Sequence, residues 1–429
     1  MPNKTVAAYG DKTNNITQAV GLFATHMQRN STLNLLSGKM PKDEAGAEAT
    51  LRKQTTQHMP IVRVQDLEKK KGDEVTFHLL NPVKALPIMG SAYAEGRGVG
   101  LSLNEDRLRV NQARFPVDLG DAMTEIRSPA DFRRLGRPVA QSLMDRYCDQ
   151  SMLVHMCGAR GYQDNIEWVV PVAEHAKFKE IMVNPVKAPT KNRHFFADGS
   201  GVTGVTDNAG EAGFDTSDMF SMDVVDSMGS VLDEMALPPP IVKFEGDEAA
   251  EDSPLRVWLV SPSQYNFFKS QPGFRQFQGA AMVRAGQAKQ HPIFRGDVGI
   301  WGNFIIRKMP RPIRFYAGDN INYCAAYDSE AESQVKVPAS FGEKFAVDRS
   351  IILGGQALAE AFAKSKNSGM PFFWSEKEMD HGDKAELLIG AVRGVSKIRF
   401  AVDTDLGTEF TDYGITTVDT VVPCRGRGL

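Results

Sequence analysis

The stretch of sequence that says most about the fold is SPADFRRLGRPVAQSLMDRYCDQSMLVHMCG, residues 128–158. Ser128 can accept a backbone N–H as the N-cap, Pro129 suits the first turn, and Asp131 completes a capping signature. Apolar side chains then recur at three- and four-residue steps, which predicts a long amphipathic helix with one buried face. The side chains expected in that face are Phe132, Leu135, Val139, Leu143, Tyr147 and Val154.

Gly136 and Pro138 interrupt the first part of this helix. Proline removes a backbone donor and crowds the preceding turn, so we expect a kink near Pro138. The buried face is expected to lie against strands near residues 397–402 and 415–422. Taken alone, the helix would fit the core of many mixed α/β enzymes equally well.

The composition indicates an ordinary globular protein, since 42% of the 429 residues are hydrophobic and 24% are charged. We find neither a signal-peptide pattern nor an apolar run long enough to cross a bilayer, and we expect a soluble intracellular protein. The net charge of -3 argues against a dedicated nucleic-acid-binding protein. The cysteines, expected to be reduced thiols because their spacing matches no metal site, are Cys148, Cys157, Cys324 and Cys424.

Residues 61–119 change from a helical to an extended pattern, with a glycine-rich run at 96–100 between two alternating strands. This pattern predicts a two-stranded ribbon. An isolated ribbon is marginal in water, so either the rest of the chain or a neighbouring subunit must cover it. The ribbon side chains expected at a subunit contact are Val75, Phe77, Leu79, Arg97, Gly98, Glu105, Asp106 and Leu108.

Charge is distributed unevenly along the chain. Residues 207–252 carry a net charge of -12 and residues 253–314 carry +9. Such blocks usually form solvated faces, but two of opposite sign could also meet across a repeated subunit contact. Asp223, Asp226, Arg284 and Arg295 are the candidates for that contact. Residues 1–60 are polar, with a net charge of +3, which predicts a solvated or partner-draped arm compatible with a nearby polyanion.

The second half of the chain predicts a mixture of helices and strands. A second amphipathic helix ends before the prolines at 238–240, and Ser261 opens another helix after a buried strand at 256–260. Residues 350–363 are predicted to be a strand running into an alanine-rich helix. The other predicted strands cover residues 168–170, 299–308, 384–393, 397–402 and 415–422.

Candidate chemical sites are weak. His155 and Cys157 are two residues apart and would not share a helix face, and the polar cluster Asp380–Asp383 has the composition of a turn. Gly354 and Gly355 precede the predicted alanine-rich helix but lack the Walker lysine, so they indicate tight packing. The sequence therefore predicts no catalytic residue, no cofactor and no metal ligand.

Several short motifs occur in the order found in one family. Residues 72–77 (GDEVTF) resemble the opening of that family's extended loop, and residues 103–108 (LNEDRL) resemble its return. Residues 192–194 and 357–358 also match, and residues 413–420 (YGITTVDT) are similar to its final strand. Over roughly residues 60–425 the chain resembles the major capsid proteins of tailed double-stranded-DNA bacteriophages, most closely the N-four-like podovirus group with the Hong Kong 97-type fold.

The resemblance implies an α+β fold with four parts. These are an N-terminal arm (1–60), an extended β-ribbon loop (61–120), a peripheral domain with the long helix as its spine (121–215 and 381–429), and an axial domain (216–380). It implies hexamers and pentamers in an icosahedral head shell around double-stranded DNA, which the shell contacts non-specifically. Decoration, scaffolding and portal proteins are expected partners, without a membrane. Assembly is expected in the host bacterial cytoplasm.

Two alternatives stay open at this point. An encapsulin-like compartment would use the same fold to house protein cargo instead of a genome. A soluble α/β enzyme would instead place its chemistry at the polar cluster Asp380–Asp383.

Overall fold

The computed structural model describes residues 31–38, 58–64, 74–80, 87–89, 95–98, 100, 103–121, 123, 127, 132–244, 255–273, 283, 298–365, 370–404, 407–424 and 426. The α-helices in these ranges are α1 (Thr32–Leu35), α2 (Phe132–Cys157), α3 (Phe178–Met182), α4 (Met222–Glu234) and α5 (Pro262–Ser270). Short 3-10 helices span Lys191–Arg193, Ala339–Phe341 and Asp380–Gly382. Among the described helices, none combines the length and the apolar character needed to cross a membrane.

Strands hold more of the described residues than helices do. The first eleven are β1 (Ile61–Val64), β2 (Glu74–Leu80), β3 (Leu103–Arg109), β4 (Asn111–Asp121), β5 (His194–Asp198), β6 (Gly201–Gly204), β7 (Asp207–Asn208), β8 (Glu211–Ala212), β9 (Arg256–Val260), β10 (Val298–Trp301) and β11 (Phe304–Lys308). The others are β12 (Ile313–Tyr316), β13 (Asn320–Cys324), β14 (Glu332–Lys336), β15 (Phe345–Leu353), β16 (Leu358–Phe362), β17 (Phe372–Met379), β18 (Lys384–Lys397), β19 (Arg399–Thr404), β20 (Gly407–Asp412) and β21 (Ile415–Pro423).

Two large sheets carry the core. One has the strand order β1-β16-β18-β17, with β4 also paired to β18, and the other has the order β10-β11-β9-β15-β21-β5-β6, with β12 paired to β15. At the centre of the second sheet, β15 pairs with β21 in antiparallel register over nine residues. Helices α4 and α5 bury Val224, Met228, Tyr265 and Phe268 in one apolar cluster with residues of β9, β11, β15 and β21.

Helix α2 is continuous through Pro138 and packs chiefly against β18 and β4. The expectation that it lies on the strands near 397–402 and 415–422 is wrong, because spacing identifies a buried face but not the sheet that covers it. Residues 128–131, the predicted cap, lie outside the described ranges.

The buried face of α2 is also rotated from the predicted one in its first half. Phe132, Leu135 and Val139 are 36%, 54% and 51% exposed, so they are not part of this subunit's core. The reason is the small size of Gly136, where an added Cβ would lie 2.3 Å from the Leu119 side chain of β4. This close approach places the small residues inward and turns the larger apolar row outward.

The second half of α2 follows the prediction. Tyr147 and Val154 are buried, and Leu143 is half-buried at the point where the two halves meet. Met144 and Cys148 complete the buried stripe between them.

Three predicted elements differ in the structure. The alanine-rich segment is strand β16, because its pairing with β1 and β18 outweighs the helix propensity of alanine. Residues 168–170 are irregular, since the side chain of Gln150 rather than a neighbouring strand accepts the N–H groups of Val169 and Val170. Residues 299–308 form the hairpin β10-β11, which turns at Gly302.

Candidate assembly interface

Strands β2 and β3 form the predicted ribbon as a separate two-stranded sheet, in register from Glu74 opposite Arg109 to Leu80 opposite Leu103. At about 3.3 Å per residue, seven residues carry each strand roughly 20 Å. In the segment that joins the two strands in sequence, here called the ribbon end, Ile88 and Met89 are 38% and 76% exposed. The ribbon therefore presents apolar side chains that its own subunit leaves uncovered.

The base of the ribbon packs on its own subunit. Val75 and Leu108 are buried in a cluster that also contains Ala361, Phe400 and Val402. These two residues were expected at a subunit contact. The structure corrects that expectation, because their side chains have no surface left to offer a neighbour.

Asp106, another expected contact residue, also faces its own subunit. Lys187 Nζ lies 3.0 Å from both of its carboxylate oxygens, and the backbone N–H of Arg399 donates to Oδ2 at 3.2 Å. The ion pair and the hydrogen bond fasten β3 to the segment after α3 and to β19. Asp106 therefore anchors the ribbon rather than reaching a neighbour.

Arg97, Gly98 and Glu105 are exposed and keep their place as contact candidates. The strand positions of Phe77 and Leu79 are described, whereas their side chains lie outside the description. Arg97, Gly98 and Glu105 are therefore the expected contact residues of the ribbon that the structure leaves available to another subunit.

The exposed apolar row of α2 is the second candidate surface. At about 100° per residue, Phe132, Leu135, Val139 and Leu143 fall within a sector of roughly 80°. In the second half of the helix, Gln150, Leu153 and Cys157 occupy the same sector and are buried. The subunit covers this sector at one end of the helix and leaves it open at the other.

The charge-block candidates are only partly described. Asp223 and Asp226 lie exposed on α4, and Asp226 accepts a hydrogen bond from Trp301 Nε1. Arg284 and Arg295 lie outside the described residues, so a contact between the two charge blocks stays a prediction.

The residues considered for chemistry lie either in an exposed turn or in the core of the subunit. Asp380 and His381 lie in an exposed turn between β17 and β18. Burial lowers the pKa of His155 to about 3 and raises that of the Cys157 thiol to about 12. Within the described ranges, no three His, Cys, Asp or Glu side chains come together as metal ligands.

Comparison with known protein families identifies the family of this chain. The sequence model of the family described as phage capsid protein matches residues 6–424. The chain belongs to the phage capsid protein family. The capsid subunit is therefore a structural, non-enzymatic protein of the virion head shell. The resemblance to a major capsid protein of a tailed phage, stated from short motifs, is confirmed.

Solved capsids share the fold over most of their length. The capsid of Ralstonia phage GP4 is 21% identical, with a TM-score of 0.65 over 85% of this chain and 87% of that chain. The cyanophage Pam1 capsid is 14% identical, with a TM-score of 0.56 over 93% and 99%. The capsid of Helicobacter pylori bacteriophage KHP30 is 11% identical, with a TM-score of 0.53 over 91% and 92%. The fold is the Hong Kong 97 type. No curated protein matched the sequence.

Sequence reasoning missed the residues that hold the ribbon base. Asn184, which hydrogen-bonds to the Arg109 backbone, and Lys187 belong to a short segment without periodicity or motif, so no local signal marks them. Gly394 carries a weak signal, because a glycine inside a strand often marks a close backbone approach. Its partner across that approach could be known only from the fold.

Proposed function

We propose that this chain is the major self-assembling subunit of a tailed-phage head, arranged as hexamers and pentamers in an icosahedral lattice. The shell encloses double-stranded DNA and assembles in the host bacterial cytoplasm, with portal, scaffolding and decoration proteins as further partners. The observation that carries the proposal is the exposed apolar row Phe132, Leu135 and Val139 on the long helix. Three large apolar side chains on one sector of a helix are typical of a surface that is buried on association.

The occupant of that row is the ribbon end of a second copy. Ile88 and Met89 are apolar and exposed, and the base of their ribbon is fixed to their own subunit at Asp106. Joining the ribbon end to the helix of a second copy would remove both apolar surfaces from water. Repeated around a closed lattice, such modest contacts reinforce one another through multivalency.

The charge of the chain suits a container. A net charge of -3 gives packaged DNA little general attraction to the subunit, so contact with the genome would be weak and independent of sequence. The mildly basic residues 1–60 remain the part of the sequence best suited to lie near a polyanion.

We assign the two large sheets to different domains of the subunit. The sheet that contains β4 and β18, with α2 lying on it, would form the peripheral domain. The sheet centred on β15 and β21, with α4 and α5, would form the axial domain. In this assignment the long helix remains the spine of the peripheral domain. Strands β15 and β21 both belong to the axial domain, because they are paired with each other.

Substitution of the apolar row tests the proposal. Leu135→Glu should leave a folded subunit that no longer forms particles, because a buried carboxylate at the contact would be unpaired. Ile166→Glu is the matched control, since Ile166 is 96% exposed in a loop away from the row. Electron microscopy and sedimentation report assembly. Normal shells from the Leu135→Glu subunit would overturn the proposed contact.

A further inference from the structure

The ribbon leaves the subunit body at Arg109 and Val110, between the end of β3 and the start of β4. The side chain of Asn184 holds the backbone at Arg109. Asn184 Oδ1 accepts the Arg109 N–H at 2.9 Å, while Asn184 Nδ2 donates to the Arg109 carbonyl at 2.9 Å and to the Val395 carbonyl at 3.0 Å. A single buried amide thus satisfies both backbone polar groups of Arg109 and links this residue to β18.

The backbone that presents Asn184 is strained. Val183 has φ 65° and ψ -59°, a conformation that is a genuine outlier for a β-branched residue. The Asn184 N–H donates to the Met182 carbonyl at 2.7 Å and closes a three-residue γ-turn of the rare, strained type. Such strain persists only where the surroundings enforce it, and it is concentrated at functional positions.

The residues that precede this turn are packed in the core of the subunit. Phe178 and Met182 of the preceding helix α3 are buried, and His155 Nε2 of α2 lies 3.4 Å from the same Met182 carbonyl. The turn is therefore held between α3 and α2. The position of Asn184 is fixed independently of the ribbon.

The other side of the ribbon base is equally close. A Cβ added at Gly394 of β18 would lie 1.9 Å from the Arg109 carbonyl oxygen and 3.1 Å from Val110 Cα. The strand thus passes directly beneath the point where the ribbon leaves the body. The backbone of Arg109 thus lies between this glycine and the Asn184 amide, whereas its side chain is exposed.

We propose that Asn184, presented by the strained turn at Val183, is the positioning residue that sets the direction in which the ribbon leaves the subunit. The proposal rests on the proposed assembly function for its purpose, because a fixed direction delivers the ribbon end to the helix row of a second copy. Asp106, three residues before Arg109, is held by the ion pair with Lys187 and by the hydrogen bond from the Arg399 N–H. Because the ribbon is attached at these two points, its angle to the subunit body is fixed.

The test measures that angle in unassembled, full-length subunits. Spin labels at Met89→Cys and Ile166→Cys, both exposed positions, report the distance from the ribbon end to the body. The native chain without these two changes gives the background from its own cysteines. Asn184→Leu keeps the side-chain volume but removes all three hydrogen bonds, and Asn165→Leu makes the same change at an exposed loop position.

In labelled subunits without a further change, and in those with Asn165→Leu, we expect a single distance between the two labels. In labelled Asn184→Leu subunits this distance should shift or become a broad distribution. Asn184→Ser, which can replace only one of the three bonds, should give an intermediate result and serves if the leucine variant does not fold. Hydrogen exchange at the Arg109 amide should be roughly tenfold faster in both variants, because both lose Asn184 Oδ1, the acceptor of that N–H, and this amide then lacks one hydrogen bond.

A folded Asn184→Ser subunit with the native distance and native exchange at Arg109 would overturn the proposal. The measurement does not need assembly. Failure of the native chain to form shells would contradict the proposed function and leave the distance result standing. Conversely, a displaced ribbon together with normal shells would show that Asn184 sets the direction but that assembly does not use it, which would overturn the purpose proposed for it.

Discussion

Arg349 and Asp419 face each other across β15 and β21, and their side chains form two parallel hydrogen bonds of 2.8 Å in the completely buried centre of the larger sheet. Arg349 also donates from Nη1 to the carbonyl of Cys157, the last residue of α2, at 3.0 Å. Burial alone would raise the pKa of Asp419, but Arg349 and His194 lower it below its ordinary range. The pair ties the long helix to the middle of the sheet.

Asp419→Asn should therefore cost about 3–5 kcal/mol of unfolding free energy, because it leaves the Arg349 guanidinium buried without its counter-charge. The exposed pair between Arg109 and Glu74, 3.7 Å apart, supplies the control. Glu74→Gln should cost less than about 1 kcal/mol. Urea denaturation of unassembled subunits measures both values. Equal losses in the two variants would contradict a structural role for the buried pair.

His155 predicts how stability depends on pH. Its pKa falls from 6.5 to about 3, first because burial disfavours the imidazolium and also because Arg393, Lys397 and Lys187 are nearby, while the hydrogen bond to Met182 opposes the shift. The unfolded chain thus takes up a proton that the folded chain refuses. The corresponding stability is present above pH 6.5 and is lost as the pH falls toward about 3, by about 1.4 kcal/mol per pH unit.

His155→Gln removes this titration while keeping a donor for the Met182 carbonyl. The variant should lose less unfolding free energy than the native chain between pH 6.5 and about 4, because the carboxylates that titrate in the lower part of this range are the same in both chains. Burial also lowers the pKa of His194, so part of the native pH dependence should remain in the variant. Parallel stability curves for the two chains would rule out the role assigned to His155.

Gly354 is expected to tolerate no side chain. An added Cβ would lie 2.3 Å from the Pro240 carbonyl oxygen, and backbone on that side cannot move without disturbing the end of β15. Gly354→Ala should destabilise the subunit by about 1–3 kcal/mol. Gly98→Ala, where nothing lies within 4 Å, should change stability little. Thermal unfolding of the two variants compares them directly, and a neutral Gly354→Ala substitution would show that the packing there is loose.

Deleting residues 85–100 should leave a folded subunit that does not assemble. The base of the ribbon is anchored in the subunit core through Val75 and Leu108, whereas the deleted segment carries the exposed Ile88 and Met89. Circular dichroism and sedimentation of the shortened chain provide the check. If the deletion prevents folding, the ribbon end belongs to the subunit's own core.

Local signals predicted the elements whose boundaries are set within a few residues. Ser261 and Gln264 form a reciprocal capping box at the start of α5, and β9 spans the predicted residues 256–260. Residues 358–362 were predicted helical because alanine-rich sequence favours a helix, yet partners almost forty residues ahead and three hundred behind make them a strand. Pairing over such separations is invisible to local propensity.

The candidate surfaces show the same limit. The spacing of apolar residues predicts that Leu135 and Val139 lie in the core. In the structure they are exposed, because the close approach at Gly136 turns the opposite side of the helix toward β4. The need for a partner to cover the ribbon was inferred from the sequence, because two strands cannot bury enough surface by themselves. Which of its residues face the body, such as Asp106, depends on a lysine and a backbone amide brought together only by the fold.

A cryo-electron-microscopy map of particles formed by the full-length chain tests the central claim most directly. We predict a closed icosahedral shell in which the row Phe132, Leu135 and Val139 of each subunit is covered by the ribbon end of a neighbouring copy that carries Ile88 and Met89. Subunits that stay dispersed under all assembly conditions, or a shell in which this row faces solvent, would contradict the account.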